Sequence, residues 1–183
     1  MRRRLAWLCL CLLLWACNAE NNISRDYHCH FIFDTSLHPI PCQLTAILGN
    51  SGHFVKVETK FVQGIVHLLT TRNYDQATED IVLRTEKERQ VSYALGADNA
   101  IIIGMSSYDN TLRCWDGQCP NCLADLSGIG YPLSWQNNGL QLYCASCKRS
   151  YDVNNGVVAH GDGGRQLLQY AAVFDGTVLR AWN

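Results

Sequence analysis

Short apolar runs separated by turn residues make up most of this chain beyond residue 26. Residues 27–33 alternate, with Tyr27, Cys29, Phe31 and Phe33 on one side, which is the period of a strand with one buried face. The same reading predicts further strands at residues 54–57, 64–69, 100–105, 111–115, 140–143, 156–159, 167–174 and 177–182. The last two flank Asp175-Gly176, a dipeptide typical of hairpin turns.

Helical patterns are few. Residues 44–48 predict one short helix, and the charged segment 73–90 predicts either a surface helix or an excursion between strands. Evenly spaced short strands with so few helices indicate an all-β dominated fold, a small antiparallel sandwich or barrel with one or two short helices.

The first residues form a leader. Arg2, Arg3 and Arg4 precede an apolar run over residues 5–16, which is the layout of a secretory signal peptide and is too short to span a bilayer. The run ends at Leu14-Trp15-Ala16-Cys17, which resembles the lipobox of bacterial lipoproteins.

This resemblance predicts cleavage before Cys17, lipidation of Cys17 and a membrane-anchored protein of the bacterial cell envelope. Cleavage after Ala19, giving an ordinary secreted protein, is the alternative. We therefore predict a signal peptide over residues 1–16, a linker over 17–26 and one domain over 27–183, because the remaining length suits a single core.

The charge balance argues against one class of partner. The chain has 15 basic and 16 acidic side chains, so it lacks the basic surface that a nucleic-acid phosphate backbone requires. No nucleophile with a base and an orienting group can be assembled from the spacing of residues, and we predict no enzymatic activity. Any protein partner is left unspecified by the sequence.

Two Cys-x-x-Cys pairs carry the candidate chemistry. Cys119 and Cys122 are separated by 21 residues from Cys144 and Cys147. Two such turns can direct four soft thiolate ligands at one metal, and the spacing is close to that of familiar four-cysteine zinc sites. The sequence thus predicts one metal centre, with zinc favoured and a mainly structural role.

Two alternatives remain open for these four cysteines. They could hold a single iron or a [2Fe–2S] cluster, which would make the protein an electron carrier. They could also form disulfides, within each pair or crosswise between the two turns, in a metal-free binding module.

Apart from Cys17 and these four, three cysteines remain in the predicted mature chain. Cys29 and Cys42 are predicted to pair as a disulfide, which leaves Cys114 as a buried thiol. His160, in a glycine-rich loop, is predicted to be a solvated histidine. His28 and His30 are predicted to lie on one face of their strand and Cys29 on the other.

The segment from Cys144 to Tyr170 resembles the second cluster-binding box of Rieske proteins and the strands that follow it. The matching residues are Cys144-Ala-Ser-Cys147-Lys-Arg-Ser-Tyr151-Asp152, then Asn-Asn-Gly156-Val-Val-Ala-His160-Gly161 and Leu168-Gln-Tyr170. Upstream, Trp115-Asp116-Gly-Gln-Cys119-Pro120 is similar to the first box. The resemblance covers residues 101–183 and extends to Rieske-like envelope lipoproteins of Bacteroides and Prevotella type.

The resemblance implies a Rieske-like domain whose metal-binding subdomain spans residues 114–162. Both histidine ligands of the family are absent, because Asn121 and Cys147 occupy their places. A Rieske cluster needs two histidines on one iron, so the resemblance implies the family's scaffold with a different, four-cysteine centre.

Overall fold

A computed structural model of the chain describes residues 23–183. The predicted leader and Cys17 lie outside these residues. Of the described residues, 43% lie in strands and 12% in helices, which confirms the prediction of an all-β dominated fold. Within residues 23–183, no helix has the length and apolar character needed to cross a membrane.

Thirteen strands and three short α-helices are present in the described part of the chain. The strands are β1 (Cys29–Asp34), β2 (Phe54–Val62), β3 (Ile65–Arg72), β4 (Thr78–Val82), β5 (Ala94–Leu95), β6 (Ala100–Met105), β7 (Leu112–Asp116), β8 (Leu133–Gln136), β9 (Gln141–Cys144), β10 (Ser150–Asp152), β11 (Val158–His160), β12 (Gln169–Phe174) and β13 (Val178–Trp182). The helices are α1 (Gln43–Ala46), α2 (Glu86–Arg89) and α3 (Pro120–Asp125), and 3-10 turns lie at Ile47–Gly49 and Gly96–Asp98.

The strands form two antiparallel sheets. The large sheet has the order β4-β3-β2-β6-β7-β12-β13-β1-β5, and the small sheet has the order β11-β10-β9-β8. Every pair of named strands is antiparallel, as predicted. All four strands of the small sheet lie in the sequence between α3 and β12, so the small sheet is an insertion between β7 and β12, which pair directly in the large sheet.

The large sheet encloses the main hydrophobic core. In β1, Cys29, Phe31 and Phe33 are buried while their neighbours are only half-buried, which is the predicted alternation. Side chains of β2, β3, β6, β7, β12 and β13 complete this core, among them Val57, Leu68, Ile101, Ile103, Cys114, Tyr170 and Leu179.

Strand β6 is buried on both faces because the small sheet packs against the outside of the large one. Ile101 and Ile103 belong to the main core, whereas Ile102 belongs to a second core. This second core joins Trp115 of β7 to Leu142 of β9, and it also contains three of the four candidate metal-binding cysteines. Two buried faces explain why residues 100–105 are continuously apolar.

The charged segment 73–90, predicted as either a surface helix or an excursion between strands, does not form a single surface helix. It contains the edge strand β4, followed by the one-turn helix α2. A capping box between Thr85 and Glu88 caps the N-terminus of this helix. Charged side chains suit an edge strand because they discourage pairing with another chain. Strands β4, β5, β8 and β10 were not predicted as strands.

Asn73 joins the two sheets, and we predict that Asn73→Ala lowers the free energy of unfolding by about 2–3 kcal/mol. The buried amide accepts a hydrogen bond from Phe54 N (3.0 Å) and donates to the carbonyls of Gly52 (2.9 Å) and Gly139 (3.1 Å). Alanine leaves these backbone groups without partners. Chemical denaturation measures the effect, with Asn50→Ala, at an exposed asparagine, as the control. Equal small losses in both variants would contradict the prediction.

Candidate metal centre

The four cysteines lie on two short backbone segments. Cys119 precedes α3 as its N-cap residue, and Cys122 lies in the first turn of that helix. Cys144 ends β9, and Cys147 follows it in the turn that leads to β10. The prediction of a cysteine turn therefore holds for the second pair, whereas the first pair lies at the start of a helix.

Backbone hydrogen bonds bring the two segments together. Cys119 N donates to Tyr131 O (2.9 Å), and Leu133 N donates to Gly117 O (2.9 Å). Leu133 then pairs with Cys144 in the register of β8 and β9. The polypeptide itself thus places one cysteine pair beside the other, and the site does not depend on the thiols alone.

The four sulfur atoms converge on a common centre. All four lie within 4.8 Å of one another. Two contacts cross between the segments, at 3.5 Å from Cys119 Sγ to Cys147 Sγ and 3.6 Å from Cys122 Sγ to Cys144 Sγ. Four thiolates bound tetrahedrally at about 2.3 Å from one ion are about 3.8 Å apart, so the observed group has the size of a site for a single ion.

The site is closed on one side and open on the other. Cys119, Cys122 and Cys144 are buried, and burial raises the pKa of each thiol. Cys147 is only partly buried. Burial opposes its ionisation, but hydrogen bonds from the backbone and guanidinium of Arg149 lower its pKa to about 6.

A hydroxyl group contacts the buried side of the site. The Tyr151 hydroxyl lies 3.1 Å from Cys119 Sγ and accepts a hydrogen bond from Asn121 Nδ2 at 2.8 Å. Burial, reinforced by the contact with Cys119, raises the pKa of Tyr151, so the hydroxyl keeps its proton and can donate it to the sulfur. Such contacts orient a metal ligand and stabilise its negative charge.

Residues 162–165 form a loop that is attached to both cysteine segments. Asn121 binds Arg165 twice, since its Oδ1 accepts from Arg165 N (2.9 Å) and its Nδ2 donates to Arg165 O (3.1 Å). Arg149 Nε donates to Asp162 O (2.9 Å). A Cβ atom on Gly164 would lie 2.3 Å from Asn121 Oδ1, so only glycine fits against this amide.

The sequence did not identify the clamp between Asn121 and Arg165. These residues are 44 positions apart, and no local pattern marks their contact. The Rieske resemblance did single out Asn121, as a residue in the place of a histidine ligand. In the structure its amide points to Tyr151 and Arg165, and the four sulfurs form the ligand group without it.

The other predicted candidates lie away from this group. His160 is exposed, as predicted. The rings of His28, just before β1, and of His30, on β1, stack with centroids 6.4 Å apart, while Cys29 points into the core. The predicted disulfide between Cys29 and Cys42 is not formed, since all seven cysteines of residues 23–183 are free thiols. Cys29 and Cys114 are both buried in the main core.

Comparison of the chain with protein-family models, with curated proteins and with solved structures finds no match.

Tyr151→Phe is expected to weaken metal binding about tenfold while the fold is retained, because only the hydroxyl that contacts Cys119 is removed. Competition with a chromophoric chelator measures the affinity. Tyr143→Phe is a matched control. Tyr143 lies on the adjacent strand β9, opposite Ser150, which is the residue before Tyr151. The same affinity in both variants would show that the hydroxyl does not stabilise the thiolate.

Proposed function

We propose that this protein is a Rieske-like cell-envelope lipoprotein in which Cys119, Cys122, Cys144 and Cys147 hold one metal ion with a mainly structural role. The observation that carries the proposal is the convergence of four thiol sulfurs, all within 4.8 Å of one another, between two sheets. Four sulfur donors in a tetrahedral arrangement are the ligand set of structural zinc sites and of single-iron sites.

The size of the sulfur group favours one ion over a two-iron cluster. In a [2Fe–2S] cluster each iron takes two of the four thiolates, and bridging sulfides separate the two irons. Thiolates on different irons are therefore farther apart than thiolates that share a metal. A group whose largest separation is 4.8 Å has the dimensions of a single-ion site, and zinc needs no cluster assembly.

The position of the site supports a structural role. Three of the cysteines belong to the second core, with Trp115 of the large sheet and Leu142 of the small sheet. An ion bound there would crosslink α3 to the turn between β9 and β10. Its apparent binding free energy, about 10–16 kcal/mol for structural zinc, would contribute to the stability of the whole subdomain.

Elemental analysis of protein purified without oxygen tests the proposal. We expect one equivalent of zinc per chain, no visible absorption and no acid-labile sulfide. Visible absorption with iron and sulfide in stoichiometric amounts would show that the site holds an iron–sulfur centre instead of zinc. Protein without metal that also lacks free thiols at these four positions would refute metal binding.

An electron-transfer protein with an iron centre is the second candidate. The partial exposure of Cys147 favours it, because this edge of the site reaches the surface and could pass an electron to a partner. An iron-loaded protein that undergoes reversible one-electron reduction would support this candidate. A colourless zinc protein would exclude it.

The sulfur contacts between the two segments also predict which disulfides a metal-free protein would form. A protease that cuts before aspartate places Cys119 and Cys122 on residues 116–124, and Cys144 and Cys147 on residues 125–151. Disulfides from Cys119 to Cys147 and from Cys122 to Cys144 would link these two peptides, whereas bridges within each pair would not. Metal-loaded protein is expected to give two alkylated, unlinked peptides.

The envelope location rests on the leader sequence and has its own test. If Cys17 is lipidated, the mature protein should incorporate radiolabelled palmitate in a bacterial host and fractionate with membranes. Cys17→Ala should abolish labelling. Labelling of neither protein, with an N-terminus after Ala19, would instead indicate a secreted protein.

A further inference from the structure

Asn121 is a buried amide that uses all of its hydrogen-bonding groups. Its exposed fraction is 6%, and it lies in the first turn of α3, between Cys119 and Cys122. Its Oδ1 accepts from Arg165 N at 2.9 Å, and its Nδ2 donates to Arg165 O at 3.1 Å and to the Tyr151 hydroxyl at 2.8 Å. An asparagine amide has one acceptor oxygen and two N–H donors, so each of these groups is already bound within the protein.

Arg165 fixes the direction in which this amide points. The backbone N–H of Arg165 can only donate and its carbonyl can only accept, so the amide oxygen must face the N–H and the amide nitrogen must face the carbonyl. Turning the amide over would set its oxygen against the carbonyl of Arg165 and break both bonds. The second N–H of Asn121 is therefore directed at the Tyr151 hydroxyl.

The orientation of Asn121 in turn decides where the proton of Tyr151 points. The hydroxyl oxygen of Tyr151 accepts from Asn121, so its single proton is available to another acceptor. Cys119 Sγ lies 3.1 Å from this oxygen, and Tyr151 has no exposure to solvent. A hydrogen bond from a hydroxyl stabilises the negative charge of a thiolate. The contacts therefore connect Arg165, through Asn121 and Tyr151, to a ligand of the metal.

We propose that Asn121 is a positioning residue of the metal centre, which acts on Cys119 through Tyr151 and also holds residues 162–165 against the site. The inference rests on the proposed metal-binding function. The fit of Gly164 supports a fixed position for the amide, since an added Cβ would lie 2.3 Å from Asn121 Oδ1 and 3.2 Å from its Nδ2. The amide is thus confined by contact as well as by its hydrogen bonds.

A double-mutant cycle on zinc affinity tests the action through Tyr151. Competition with a chromophoric chelator gives the zinc affinity of the unmodified protein, of Asn121→Ala, of Tyr151→Phe and of the double variant. We expect Asn121→Ala to weaken zinc binding about tenfold in the unmodified protein, and less than about twofold in the Tyr151→Phe background. Equal losses in both backgrounds would show that Asn121 does not act through the hydroxyl and would overturn the inference.

The absorption spectrum of the cobalt(II)-loaded protein separates a hydrogen bond to sulfur from a general loss of packing. Cobalt(II) bound to thiolates has charge-transfer bands that report the electron density on sulfur. A hydrogen bond lowers this density, so its loss should move the bands to longer wavelength. We expect Asn121→Ala and Tyr151→Phe to shift the bands in this direction, and Gly64→Ala, in the turn between β2 and β3, to leave them unchanged. Unshifted bands in Asn121→Ala would contradict the proposed role.

Cleavage by trypsin after Arg165 tests the hold on the loop. Arg165 is exposed, but both polar groups of its backbone are bound to Asn121. We expect Asn121→Ala and Gly164→Ala to be cut after Arg165 about tenfold faster than the unmodified protein, because cleavage requires the clamp to open. Tyr151→Phe keeps the clamp and is the control, and cleavage after Arg89, at the end of α2, is the internal reference. Unchanged cleavage after Arg165 in both variants would overturn the inference.

Failure of this inference can be told apart from failure of the proposed function. Unmodified protein that binds neither zinc nor cobalt would refute the metal centre itself. Unmodified protein that binds zinc no more tightly than Asn121→Ala would leave the metal centre in place and overturn only the role of Asn121. Gly164→Ala serves if Asn121→Ala does not fold, because it displaces the amide and keeps every other side chain. A folded Gly164→Ala variant with the original zinc affinity would likewise overturn the role of Asn121.

Discussion

Cys144→Ser is expected to lower the metal content from about one equivalent per chain to a small fraction of that, with a large loss of stability. Cys144 is 0% exposed and lies 3.6 Å from Cys122 in the sulfur group. Serine cannot supply a soft thiolate to the metal. The apparent free energy of structural zinc, about 10–16 kcal/mol, is comparable with the net stability of a whole domain, so losing most of it should unfold the subdomain.

Elemental analysis and thermal unfolding measure the two effects. A strong chelator should produce the same loss of melting temperature in the unmodified protein and little further change in the variant. Cys42→Ser is the control, because it changes a buried thiol outside the sulfur group. Metal content that is unchanged by Cys144→Ser, or a melting temperature that the chelator leaves unchanged, would contradict a structural metal.

Cys147→Ser separates loss of the ligand from misfolding. Cys147 is the least buried of the four, so serine there should disturb packing little. We expect weaker metal binding with the antiparallel sheets retained, as judged by circular dichroism. A folded Cys147→Ser variant with the original metal affinity would show that only the other three cysteines bind the metal.

Gly96→Ala is expected to destabilise the protein by about 3–5 kcal/mol. Gly96 has a φ of +73°, and an added Cβ would lie 2.2 Å from Asp116 Oδ2. Asp116 is fully buried and accepts hydrogen bonds from the Tyr170 hydroxyl (2.6 Å) and Ala97 N (2.8 Å). Alanine would therefore push a buried carboxylate away from its donors as well as straining the backbone.

Gly64→Ala is the control that separates the backbone strain from the close contact with Asp116. Gly64 has a similar φ of +79°, but an added Cβ there has no neighbour within 4 Å. This variant should lose only about 1–2 kcal/mol, the cost of a left-handed alanine. Chemical denaturation of both variants gives the difference. Equal losses would show that Asp116 moves aside freely and does not hold Gly96 in place.

Much of the local structure could be predicted from the sequence. The alternation at residues 27–33 predicted β1 and its buried face, and the apolar run at 100–105 predicted β6. These patterns depend on the two-residue period of a strand, which is a property of the backbone itself. The four cysteines could also be named as one group, because paired thiols at this spacing have few other roles.

Other features could not be predicted, because they depend on contacts between distant parts of the chain. A disulfide between Cys29 and Cys42 was predicted from counting cysteines, whereas both are free thiols in the structure. The clamp between Asn121 and Arg165 is equally invisible to any local pattern.

Local sequence patterns were enough to predict short antiparallel strands and four thiols suited to one metal. The convergence of the thiols, the contact of Tyr151 with one of them and the burial of β6 on both faces appear only in the folded chain. Local patterns specify the backbone and the buried face of each strand. The order of strands in a sheet depends on how all the faces are buried together.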